Sequence, residues 1–190
     1  RLVTTLILPA SVGLFVLATS IIRLIFEHGS FTPVDTAYTA LALRLYLPGL
    51  PFAAIDLLLV FAFYSQQDTL TPAIVGVISL AAYMAVALGL MERYGLFSLM
   101  IADSVKHILH ATISAWLLRW RIGGRYRQNL ATTVLKTGLA SAVMGVAAYA
   151  AGRALAGLVP AGTWGEIMLV LGAALAGGAV FVALALILRI

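Results

Sequence analysis

Asp103, Lys106, His107 and His110 fall at i, i+3, i+4 and i+7 within a stretch that is otherwise apolar. In a helix that spacing puts all four on one face. A charged group at mid-bilayer costs about 2.5–3.5 kcal/mol on the lenient insertion scale, so such a face turns away from lipid, toward other helices or a water-filled cavity. Two chemistries suit it. As ionisable groups inside the membrane, the four are candidates for a functional face lining a cavity. In the plainer alternative, Asp103 and Lys106 neutralise each other while the histidines bond neighbouring carbonyls. Two histidines and an aspartate could also ligate a metal, but no further ligands accompany them, so no metal or other cofactor is expected. A fifth ionisable residue, Asp56, lies inside another apolar stretch.

The elements that must position these residues are membrane helices. Of 190 residues, 63% are hydrophobic and 10% charged, and the mean hydropathy is +1.07. Soluble domains run to about half apolar and about a quarter charged, so lipid is the solvent here. Three uncharged runs are long enough to cross a bilayer: Leu2–Ile22, Thr69–Met91 and Ile167–Leu188. Three more are interrupted: Ala40–Phe63 by Arg44 and Asp56, Gly95–Leu118 by Asp103 and Lys106, and Val134–Leu158 by Lys136 and Arg153. The runs lack the alternation of barrel strands. The fold expected is an all-α integral membrane bundle of about six transmembrane helices. Leu2–Ile22 is too long for a signal-peptide core, and the chain reads as a fragment of a larger protein. Cysteine is absent from the sequence, which removes disulfides and thiolate metal sites.

Short loops join the spans. Thr71-Pro72 fits a helix start, with Thr as N-cap and Pro at N1. Arg119, Arg121, Arg125 and Arg127, interleaved with Trp116, Trp120 and Tyr126, place the loop between spans four and five in the cytoplasm. Ser65–Thr71 is then also cytoplasmic and Glu27–Asp35 faces outward, with Arg23, Arg44, Arg93 and Arg153 toward the outside. The net charge of +5 is read as this topology signal, not as a nucleic-acid surface. Spans two and four run the same way, so Asp56 lies at about the depth of Lys106 to His110. An Asp56–Lys106 or Asp56–His110 pair is therefore possible. Pro48-Gly49-Leu50-Pro51 breaks or kinks span two, either as a transporter's discontinuous helix or as a packing kink. In spans five and six, Gly138, Gly145 and Gly152 recur every seven residues. Ser141/Gly145, Ala148/Gly152 and Ala173/Gly177 form small-xxx-small pairs suited to close helix packing, or to a lipid-tail groove.

Three segments together resemble one family. Leu24-Ile25-Phe26-Glu27-His28-Gly29-Ser30-Phe31-Thr32 is similar to the "LFERGAFT"-type segment of the MurJ/MviN family of lipid II flippases. Leu43–Pro51 resembles its "LRxYxxGLP" segment, and Phe63–Pro72 its "FYALQDTxTP" segment. The resemblance implies the C-terminal portion of a two-lobed transporter of the cytoplasmic membrane of bacteria. Residues 1–122 would supply four spans of the second lobe, and 123–190 two additional helices. It implies transport of lipid-linked peptidoglycan precursor by alternating access, with that lipid, membrane lipids and an N-terminal lobe of the same protein as partners. It also places the Tyr64–Pro72 loop in the cytoplasm. Asp56 stands at or beside a position where members often carry a basic residue. The motif residues Gly29, Tyr64, Asp68 and Pro72 are present, and turn and cap geometry is their plainer role. A flippase for another lipid-linked oligosaccharide and a multidrug or cation antiporter of the same superfamily remain alternatives. So does a non-transporting scaffold, against which the polar face counts. No enzyme constellation appears among the motifs, and the carboxylates are scattered.

Overall fold

A computed structural model describes residues 2–122, 130–160 and 162–189 of the chain, without the side chains of residues 122, 130 and 131. Arg125, Tyr126 and Arg127 of the basic loop therefore lie outside the described residues. The elements are helices α1 (Leu2–Phe26), α2 (Pro33–Tyr46), α3 (Leu50–Tyr64), α4 (Leu70–Tyr94), α5 (Phe97–Ile122), α6 (Leu130–Ala156) and α7 (Thr163–Leu188). A single 3-10 turn, Leu47–Gly49, joins α2 to α3. Taking Pro33–Tyr64 as one span, five helices are long and apolar enough to cross a membrane. The remaining one, α5, has 26 residues, roughly 39 Å at 1.5 Å per residue. It carries the polar face and is not among those five. All six expected helices are present, five of them long and apolar enough to span a membrane.

The described residues form two compact units. One comprises α1, most of α2, α6 and α7, and the other runs from Leu45 through α5. In the first, α1 packs on both α6 and α7, which pack on each other. Small residues set the spacing. A Cβ on Gly145 would lie 2.8 Å from Val12, and one on Gly177 would lie 2.9 Å from Ala148 Cβ and 3.3 Å from the Met144 carbonyl. Gly152 similarly faces Ala173. Gly138 departs from this pattern, with open space where a Cβ would go. The seven-residue glycine repeat is thus not one continuous interface. A helix turns about 100° per residue, so identical residues seven apart drift around the axis and need not meet the same neighbour.

The start of α2 is capped by a box that begins at Thr32. Its hydroxyl and amide both donate to Asp35 Oδ2 (2.7 and 2.8 Å), and the Asp35 amide approaches Thr32 Oγ1 (3.3 Å). Pro33 occupies N1, where its missing N–H costs nothing. The start of α4 departs from the expected cap. The helix begins at Leu70, before Thr71, and Thr69 makes no side-chain cap bond. Asp68 does that work: it accepts the Thr71 amide (2.9 Å) and the Thr71 hydroxyl (2.6 Å). A carboxylate can take both donors at once while complementing the helix dipole. Pro72, in the first turn of α4, is buried.

The 3-10 turn follows from Pro48 and Pro51. Proline supplies no amide to the helical ladder, and the Leu50 amide bonds Leu47 O, closing a tighter turn. The freed carbonyls are taken up within the second unit. Ser104 Oγ of α5 lies 2.7 Å from Leu45 O and 3.1 Å from Tyr46 O, within donating reach of both. The approach needs glycine at 49, since a Cβ there would fall 2.7 Å from Ser104 Cα.

Candidate functional site

In the second unit, α5 packs against both α3 and α4, so its polar face meets protein on two sides. About two turns beyond the 3-10 turn and its seal at Ser104, α3 presents Asp56. His110 Nδ1 lies 2.5 Å from Asp56 Oδ1, with side chains only 14% and 15% exposed. The ionised carboxylate accepts, so the imidazole N–H donates. Ser114 Oγ, fully buried, reaches to 3.5 Å of the same ring nitrogen. Of the two pairings open to Asp56, the structure makes this one.

Lys106 turns instead to Asp103, with Nζ 2.5 Å from Oδ1. The other Asp103 oxygen lies 3.5 Å from His107 Nε2. Lys106 also stands over the Tyr83 ring of α4, 5.8 Å from its centroid. Gly76, Ser79 and Tyr83 share one face of α4, and Gly76 abuts His110 Nε2. Two buried polar atoms on these helices, Ser79 Oγ and His107 Nδ1, have no hydrogen-bond partner among the described residues. An unpaired polar atom away from water is costly, so the polar face is not fully satisfied by the α3–α5 helices alone. Among the described residues no three metal-ligating side chains converge.

The charges nearly balance. Asp56 and Asp103 contribute −2 and Lys106 +1, leaving −1 with both histidines neutral.

The motif residues lie elsewhere. Gly29 has φ of +63° in the α1–α2 loop, a left-handed turn that glycine makes without strain. Tyr64 ends α3 half exposed. Asp68 caps α4 and also pairs with Arg121 near the end of α5. The Thr71 hydroxyl and amide, and then the Arg121 guanidinium, hold its carboxyl down to about 2. Nothing in the sequence marks this pair, because Arg121 is legible there only as one of a loop's topology charges. Ser104 and Tyr83 were missed too. Ser104 adjoins Asp103, and Tyr83 has only a helical offset from Gly76 to mark it.

The model of the lipid II flippase MurJ family matches residues 1–186 of the chain. The chain belongs to the MurJ family. Among related proteins, a probable lipid II flippase MurJ of Bdellovibrio bacteriovorus is 35% identical over 136 residues, covering 72% of this chain and 26% of that protein. One from Rhizobium meliloti is 32% identical over 148 residues, covering 77% and 27%. The chain thus spans about a quarter of the length of these MurJ relatives. Its fold is that of a solved lipid II flippase MurJ in an inward closed conformation, with a TM-score of 0.79 at 24% identity, covering 98% of this chain and 37% of that one. As a MurJ-family chain with five apolar spans, it is a multi-pass protein of the bacterial inner membrane.

Proposed function

We propose that the chain is the C-terminal portion of a transporter that flips lipid II across the cytoplasmic membrane by alternating access. In this reading it acts as a carrier and not as an enzyme. The family match along residues 1–186 carries the reading. Residues 1–122 contribute four spans of the second lobe, and 123–190 an additional pair of helices. An N-terminal lobe of the same protein completes the cavity. Its partners are the lipid-linked precursor and the surrounding membrane lipids. The polar face of Asp56, Asp103, Lys106, His107 and His110 serves the transport cycle. Its support is the cost of keeping five ionisable groups at membrane depth, together with the unsatisfied Ser79 and His107 atoms. The carboxylate-centred Asp56–His110 pair favours a second reading, in which this face couples an ion or proton to transport, as in an antiporter of the same superfamily.

Complementation tests the proposal. The full-length protein is expressed in bacteria depleted of their own lipid II flippase. Wild type restores growth, and Asp56→Asn, at equal membrane levels, does not. No rescue by well-expressed wild type overturns the cargo. Full rescue by Asp56→Asn overturns the role of the polar face.

A further inference from the structure

A groove of about 480 Å³ runs along the first unit, between α1, the end of α2 and α6. Its α6 wall is one stripe, Ala142, Gly145, Val146 and Tyr149, at i, i+3, i+4 and i+7. Val12 and Val16 of α1 face it, close against Gly145, whose missing side chain makes the floor. Apart from Phe15 and Tyr149 these walls are aliphatic. One end is different. There Arg44 donates from Nε to Phe15 O (3.1 Å) and from Nη2 to Thr19 Oγ1 (3.1 Å). The Tyr149 hydroxyl at the same end accepts from Arg153 Nη1 (3.1 Å).

Neither arginine pairs with a carboxylate among the described residues, where every ion pair involves other cations. Arg44 also stands over the Phe15 ring, 6.0 Å from its centroid, and its second amino group, Nη1, has no hydrogen bond among the described residues. It lies 11 residues past Pro33, roughly 16 Å along the span at 1.5 Å per residue, where a freely soluble anion would have to leave water. A cation at that depth calls for an anion that arrives with its own apolar body. Guanidinium groups suit phosphate oxygens through paired N–H donors.

We propose that this groove holds a resident anionic glycerophospholipid, its phosphate on Arg44 and one acyl chain along Val12, Val16, Gly145 and Val146. A bare anion would explain the arginine and leave the aliphatic groove without an occupant. A bare hydrocarbon would explain the groove and leave the guanidinium without a counter-charge. The Asp56–His110 pair belongs to the other unit, so the lipid is assigned from the bilayer, not as transported cargo. With the Glu27–Asp35 loop outward, it comes from the outer leaflet.

Native mass spectrometry of the full-length protein, titrated with phosphatidylglycerol and with phosphatidylcholine of the same chains, tests this. Phosphatidylglycerol remains bound preferentially, and glycerol phosphate, lacking tails, does not bind. Arg44→Gln lowers phosphatidylglycerol occupancy about tenfold, the loss expected for one charge-assisted contact, and Arg44→Lys recovers part of it. Val146→Trp, which fills the groove and leaves the arginine, removes the adduct too. Arg93→Gln, whose side chain is no part of the groove, leaves it unchanged. Circular dichroism and size-exclusion profiles confirm that each variant is folded. An adduct unaffected by both Arg44→Gln and Val146→Trp overturns the proposal. So does displacement of phosphatidylglycerol by a polyprenyl-pyrophosphate glycan, which would make the groove the cargo's.

Discussion

At the scale of single residues, Asp56 and Asp103 divide the work of the polar face. Asp103 holds Lys106 within its own helix, while Asp56 reaches across to His110. The pair exchange Asp56→His with His110→Asp keeps both groups and their contact. In the depletion strain it should restore part of the growth that Asp56→Asn loses. A dead double variant at normal membrane levels would show that position, and not pairing, matters. Asp68 makes a different, pH-dependent contribution. Its carboxyl titrates at about 2 in the fold, against roughly 3.9 in an unfolded chain. The depressed value means its stabilisation is complete above the unfolded value and is lost as pH falls through the folded one. Thermal unfolding of the full-length protein in detergent should therefore lose stability between about pH 4 and about pH 2. Asp68→Asn should flatten that part of the curve, and an unchanged slope would assign the loss to other carboxylates. That Asp56 lies at the depth of Lys106 to His110 was legible in the sequence because the spans alternate direction, which fixes depth; that it takes His110 was not. The Asp68–Arg121 pair was not legible either, because a loop arginine has no spacing rule to reveal its partner.

At the scale of elements, proline and glycine decide where helices break and how closely they approach. The chain from Phe63 to Asp68 ends α3 with the Asp68 amide on Phe63 O and the Gln67 amide on Tyr64 O. That is a Schellman closure with Gln67, at φ of +59°, in the place usually taken by glycine. The contact of α6 with α7 depends on a real glycine. Gly177→Ala should destabilise the full-length protein by about 1–3 kcal/mol, as overpacking does, seen as a lower melting temperature. Gly138→Ala, facing open space, should be neutral or stabilising by up to about 1 kcal/mol. Equal effects at both sites would contradict the assigned interface. The sequence showed both glycines as equals, since a one-dimensional spacing cannot say which neighbour a helix face meets.

At the scale of the whole molecule, the 190 residues span about a quarter of the relatives' length, and an alternating-access cavity needs both lobes. The purified chain alone, reconstituted in liposomes, should move no lipid-linked oligosaccharide, whereas the full-length protein should. Transport by the chain alone would mean that one lobe suffices. Composition and hydropathy determined by themselves that lipid is the solvent, because no fold of this size can hide so much apolar surface from water. The 3.6-residue period likewise determined that Asp103, Lys106, His107 and His110 share a face. Tertiary structure alone decided which partner each one takes, that Ser104 seals the carbonyls freed by the prolines, and that Arg44 opens onto an aliphatic groove. Those outcomes depend on contacts between segments far apart in the chain, and helix periodicity carries no information about which helix lies alongside.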